Sequence, residues 1–223
     1  LYIDLGRHIS LPKAPRSLPK NILSEKEMSR VFAYLESTAG KLTVTKRAHA
    51  VIVRDHALME VLYSTAMRKT ELIELTLDAI NYADCLIHVR GKGGKHRVAP
   101  IGVVSLAVLR RYIREARGVL TSRDIGNVFV TLRGGPMGEV SVLDAVKRVV
   151  AAASITRKVT VHSIRHSSAT HMLNRGADIR YVQELFFFND TATTEIYTHV
   201  DRSFLWEAYR GAHPRARGRR GER

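Results

Sequence analysis

Apolar positions recur every three to four residues over several long stretches of the chain. After Ser24-Glu25-Lys26-Glu27, whose Ser and Glu are spaced to cap a helix start reciprocally, Met28, Val31, Phe32 and Leu35 fall on one helical face. This predicts a helix over 24–37, closed by Gly40. A second predicted helix runs from about 48 to 65, with Val51, Leu58 and Leu62 inward, and a short third starts near Lys69 with Leu72, Ile73 and Leu75. The texture then changes. Residues 79–82, 85–89 and 97–101 are short apolar-rich runs separated by Asp84 and by Gly91–Gly94, which predicts a small antiparallel sheet with two turns. Helical spacing returns at 105–117, at 141–153 (with Ser141 and Asp144 as its cap), at 162–174 before Gly176, and in shorter pieces at 178–186, 193–200 and 203–209. The predicted fold is mainly α with a small antiparallel β-sheet, an α+β domain over 18–212.

Composition narrows the partners. The 223 residues carry 36 Lys plus Arg against 21 Asp plus Glu, a formal charge of +15. The last nine residues contribute only +4 of this, so the surplus belongs to the folded part and points to a polyanion, nucleic acid before an anionic membrane. With 45% apolar residues the chain can bury a core, and no run of about 18 apolar residues predicts a membrane span. The lone Cys85 excludes an internal disulfide. Residues 1–17, Pro-containing and without a period, read as a linker. Residues 213–223, rich in Arg and Gly, read as a basic disordered tail.

Four positions stand out chemically. Arg68 sits at the predicted start of a helix, where a cation is unfavourable unless an anion or Glu71 joins it. Lys92 lies in Arg90-Gly91-Lys92-Gly93-Gly94-Lys95-His96-Arg97, a glycine-rich hairpin that projects basic side chains but lacks the spacing of a nucleotide-binding loop. His162 and Arg165 are three apart on one helical face, an imidazole donor beside a forked guanidinium, suited to phosphate oxygens; no Cys or acidic neighbour gives ligand spacing for a metal. Tyr197, in Thr194-Glu195-Ile196-Tyr197-Thr198-His199, is either a packing residue or a nucleophile toward phosphorus.

Taken together, Leu62–Leu72, Gly91–Pro100, His162–His171 and Thr193–Val200 resemble the ordered boxes of the tyrosine recombinase (phage integrase) family, especially its Xer-like members, and His213-Pro214-Arg215-Ala216 is similar to the end of such chains. The resemblance implies a catalytic domain that cuts and rejoins double-stranded DNA without metal, nucleotide or other cofactor. It implies that Tyr197 forms a 3′-phosphotyrosyl link, that Arg68 and Arg165 clamp the phosphate, that His162 donates to it, that Lys92 protonates the leaving 5′-oxygen, and that Glu71 supports the site. Lys95, Arg97 and His166 are expected to contact DNA. An upstream DNA-binding domain before residue 18, a homo- or hetero-tetramer on two DNA sites, and a cytoplasmic, nucleoid-associated bacterial or phage setting are implied in the same way. A catalytically impaired DNA-binding relative and a type IB-like topoisomerase stand as alternatives. The first rests on Phe188, where the family usually has His, because a phenyl ring offers no hydrogen-bond donor.

The Phe188 departure has its own explanation. Asn189–Thr198 can be encoded by AAT GAT ACG GCG ACC ACC GAG ATC TAC AC, the string of a common sequencing-adapter oligonucleotide. Residues 186–192 are therefore read as partly foreign text, and resequencing the source locus is expected to return Gly-His at positions 187–188; recovering Phe at both would refute this.

Overall fold

The structure is a computed structural model, and it describes residues 21–40, 45–91, 96–179, 181–182, 185 and 208–216. Helix α1 (Glu25–Ala39) begins on the predicted capping box: the Ser24 backbone N–H donates to Glu27 at 2.8 Å and the Glu27 N–H donates to the Ser24 hydroxyl at 3.3 Å. Its Met28, Val31, Phe32 and Leu35 are buried against α2 (Lys46–Thr65). Helix α2 is buried on every side along its second half, and α1 and most of the later helices pack on it. Its buried polar groups are largely paired. Arg54 and Arg148 both donate to Asp55, at 2.8 and 2.5 Å, and Ser105 donates to Glu60 at 2.7 Å.

After α3 (Lys69–Ile73), β1 (Ile80–Asn81), β2 (Leu86–Arg90) and β3 (His96–Pro100) form one antiparallel sheet in the order β1-β2-β3, with Ile80 opposite Ile87 and Val89 opposite Arg97. The mainly helical chain with its small three-stranded sheet is thus as the apolar pattern predicts. Helix α4 (Val103–Arg111) continues through a π-helical stretch, Tyr112–Ala116, into α5 (Arg117–Leu120). Helix α6 (Glu139–Ala152) begins earlier than expected: Gly138 is its N-cap, and Ser141 lies inside the first turn rather than capping it. Helix α7 (Val161–Asn174) is capped by Thr160, whose hydroxyl accepts from the Ser163 N–H at 3.2 Å, and chain reversal follows at Gly176, where φ is +84°. Among the described residues no helix is long and apolar enough to cross a membrane. The helix expected over 193–200 and residues 1–20 lie outside the described residues.

One expectation needs correction. Residues 213–216, assigned to a disordered tail, pack into the domain: His213 and Ala216 are buried, the His213 ring stacks on Tyr209 with centroids 4.7 Å apart, and its Nε2 lies 3.1 Å from the Tyr63 carbonyl. Arg215 lies over the Phe32 ring and pairs with the buried Glu60. The basic composition of the segment hid these partners, because Tyr63, Glu60 and Phe32 are 150 or more residues away in sequence. A Cβ at Gly102 would lie 1.9 Å from the Arg215 carbonyl oxygen, so only glycine allows this approach. Gly102→Ala is expected to displace the segment and to cost at least about 1 kcal/mol, a fall in melting temperature of roughly 2–4 °C, read by thermal denaturation.

Burial also sets the response to acid. It pushes the imidazoles of His56 and His213 down, to about 4 and about 3. The unfolded chain takes up these protons below about pH 6.5, whereas the folded chain resists them until near pH 4 and pH 3. Unfolded protein therefore binds more protons in that window, and stability falls as pH drops through it. Melting temperatures measured between pH 7 and pH 4 are expected to decrease toward acid, and the decrease should be shallower in His56→Phe.

Candidate active site

The site is built on a sharp break between α2 and α3. Helix α2 ends at Thr65, and Ala66, with φ of +49°, turns the chain in a left-handed conformation that an alanine rarely adopts. Arg68 then stands as the N-cap of α3 in extended backbone. Its own N–H donates to Glu71 Oε2 at 2.8 Å, and its guanidinium donates to Oε1 of the same carboxylate at 2.9 Å.

Two further guanidiniums arrive from elsewhere in the chain. Arg97, on β3, donates to Glu71 at 2.7 Å through Nη2 and at 3.4 Å through Nε. Arg165, one turn into α7, donates through Nη1 to the Ala66 carbonyl and is only 9% exposed. The register explains Arg97. Ile87, Val89 and Ala99 are buried, and Arg97 stands opposite Val89, so strand alternation puts Arg97 on the inward face. A cation there requires a carboxylate, and Glu71 supplies it.

The cluster holds three guanidiniums against one carboxylate. Burial alone would push the Glu71 carboxyl up, but the hydrogen bond and charge of Arg97, then those of Arg68, outweigh it and hold the group at about 2. Arg165 moves the other way. Burial first, then the charges of Arg68 and Arg97, lower it to about 10, against the opposing pull of Glu71. At neutral pH the Glu71 carboxyl is therefore ionised and Arg165 charged, and three guanidiniums against one carboxylate leave a positive surplus that an incoming anion would relieve. Arg68 is the guanidinium most open to such an anion, with 36% of its side chain exposed.

The sequence-predicted residues divide accordingly. Arg68, Glu71, Arg97 and Arg165 come together. His162 is exposed in the first turn of α7, on the same helix as Arg165, and half-buried His166 follows one turn later. Burial, then the neighbouring charges of His162 and Arg165, lower the His166 imidazole. Lys92, Lys95, Phe188 and Tyr197 lie outside the described residues. Composition did not disclose the Arg165 contact to the Ala66 carbonyl, since no side-chain pattern marks a backbone acceptor 99 residues away.

Residues 21–203 match the family model described as "Phage integrase family". The chain belongs to this family. Within it, the tyrosine recombinase XerD of Corynebacterium glutamicum is 35% identical over 213 residues, covering 96% of this chain and 67% of that protein. The crystal structure of XerA recombinase has a TM-score of 0.63 and 30% identity, covering 89% of this chain and 65% of that one. A structure of XerH site-specific recombinase bound to difH, in a pre-cleavage complex, has a TM-score of 0.65 at 24% identity, covering 87% of this chain and 55% of that one, and shares its fold. The chain thus spans about two thirds of the length of these curated relatives. The integrase-family match runs through the arginine break, the hairpin and the α7 box, the same elements that carry the described cluster.

Proposed function

We propose that this chain is the catalytic part of a site-specific DNA recombinase that cleaves and rejoins strands through a tyrosine-linked phosphate. The observation that carries this reading is the meeting of Arg68, held by Glu71, and Arg165, held by the Ala66 carbonyl, at one break in the chain with positive charge to spare. Two forked guanidiniums suit the two non-bridging oxygens of a phosphodiester, and they stabilise most where negative charge grows in the pentacoordinate transition state.

The Tyr197 phenol gives up its proton to solvent as its oxygen attacks the scissile phosphorus, forming an O–P bond. The bond to the 5′-oxygen breaks, giving a 3′-phosphotyrosyl link and a free 5′-hydroxyl. Lys92 gives its proton to the departing oxygen, and His162 donates to the phosphate. Glu71 holds Arg68 in place through its two bonds to that residue. Phosphodiester energy is kept in the covalent link, so a 5′-hydroxyl from a second duplex can reverse the step with no nucleotide. Exchange between two duplexes requires several active sites, which supports action as a tetramer on double-stranded DNA, in the bacterial or phage nucleoid. Neither a dead DNA-binding relative nor a topoisomerase gains support, since the relatives are named as recombinases.

The test is a duplex nicked a few nucleotides 3′ of the cleavage site, so that the released fragment diffuses away and traps the intermediate. A denaturant-stable protein–DNA adduct is expected. Tight binding with no adduct would overturn the proposal.

A further inference from the structure

Arg97 lies closer to the centre of the cluster than its hairpin position suggests. Its side chain is 13% exposed and lies on the inward face of β3, opposite buried Val89. Two of its nitrogens face the Glu71 carboxylate, and its third, Nη1, lies 3.5 Å from the Leu185 carbonyl. One guanidinium thereby touches the strand sheet, the α3 start and the segment that follows α7. Its donors are directed into the protein, which leaves it poorly placed for a DNA backbone.

We infer that Arg97 is a positioning residue: by fixing the Glu71 carboxylate from the sheet side, it fixes the Arg68 guanidinium that the same carboxylate holds. The geometry makes the dependence directional. Glu71 Oε1 is shared between the Arg68 guanidinium and Arg97 Nε, while Oε2 is shared between the Arg68 N–H and Arg97 Nη2. Each oxygen is thus held from both sides. Without Arg97 the carboxylate keeps only its bonds to Arg68, a partly exposed residue, and can rotate with it. Misplacing a catalytic donor by about 1 Å can cost about 10²-fold in rate.

Other titratable or charged groups stand around Glu71. Glu74 follows on the same turn, Asp78 lies in the 3-10 turn Leu77–Ala79, and His88 and Arg90 of β2 line the same adjoining cavity; Arg165 faces it from α7. Of these, Arg97 contributes the largest opposing pull on the Glu71 carboxyl. Its loss should let burial raise that group, so the acid limb of the cleavage profile should move to higher pH.

The inference rests on the recombinase reading, and the experiment separates the two. Single-turnover adduct formation on the nicked duplex is measured for the wild type, Arg97→Ala, Arg97→Lys, Glu71→Gln and the Arg97→Ala/Glu71→Gln double variant, together with duplex affinity and melting temperature. Arg97→Ala is expected to slow cleavage about 10²-fold with affinity within about threefold of wild type, and Arg97→Lys to recover part of the loss. In the Glu71→Gln background, Arg97→Ala should change the rate by less than about threefold, because the two act as one unit. The acid limb of Arg97→Ala should lie above that of wild type. A wild type that forms no adduct sinks the recombinase reading. An active wild type sinks the positioning role alone if Arg97→Ala cleaves at the wild-type rate, if its defect is matched by lost affinity, as for a DNA contact, or if its effect multiplies with that of Glu71→Gln. Should Arg97→Ala not fold, Arg97→Lys and its double variant with Glu71→Gln carry the same comparison.

Discussion

Tyr197→Phe will abolish the covalent adduct while duplex affinity stays within about twofold, since the ring is kept and only the phenolic oxygen is lost. The loss should be complete, and among the described residues four of the six other tyrosines are enclosed. Tyr63, Tyr112, Tyr181 and Tyr209 are buried. Burial pushes the phenol of Tyr112 up to about 12, and it pushes those of Tyr63 and Tyr209 well above the ordinary range. Tyr63 is also engaged with His171 Nδ1 at 2.7 Å and Tyr209 with the Ser64 hydroxyl at 2.5 Å. Tyr82 lies under the Arg110 guanidinium, 4.8 Å from its ring centroid, on the sheet side of the domain. Gel separation of adduct under denaturing conditions checks the prediction. Residual adduct in Tyr197→Phe would move the nucleophile elsewhere.

Arg165→Ala is expected to lower the cleavage rate by about 10²–10³-fold, the usual loss when one preorganised donor to a transition-state oxyanion is removed. Stability should change much less. Arg165 is held in a site where Arg68 and Arg97 repel it, so its charge contributes little to folding, and truncation also removes its bond to the Ala66 carbonyl. A site that keeps like charges together in the absence of ligand gives up stability for a function. Arg165→Lys should recover only a small part of the rate, because a single ammonium cannot reproduce a planar fork reaching both Ala66 and a phosphate oxygen. Single-turnover cleavage and thermal melting on the same samples check both halves. Equal losses of rate and stability would make Arg165 a structural residue.

How much of this was legible in the sequence follows from how local each signal is. The capping box at Ser24 and Glu27 and the 3.6-residue period after it are local, and α1 is found where they put it. The glycine-rich hairpin separates two alternating runs, and β2 and β3 pair across it. Ser141 looked like a cap because Asp144 follows at the right spacing, but the helix reaches back to Gly138, whose extended backbone serves as the cap. The C-terminal segment looked disordered because Arg and Gly carry no period; its order comes from ring stacking and a buried carboxylate supplied by distant helices.

In the site, Arg68 and Arg165 were visible as boxes with family spacing, and the structure brings both to the Ala66–Glu71 break. From its hairpin position Arg97 is expected to contact DNA. The alternation that buries Ile87, Val89 and Ala99 was the available signal that it points inward. Its partner could not be read the same way, since Glu71 is 26 residues away across a turn and two strands.

Joint action of Tyr197 and the guanidinium cluster on one phosphate underlies the proposed cleavage. Its most direct test is peptide mapping of the trapped adduct with end-labelled DNA. The predicted result is a single modified peptide containing Tyr197, joined to the 3′-phosphate and leaving a 5′-hydroxyl on the released strand, with its yield collapsing in Arg68→Ala and Arg165→Ala. A linkage through another residue or through a 5′-phosphate, or an undiminished yield without either arginine, would contradict it.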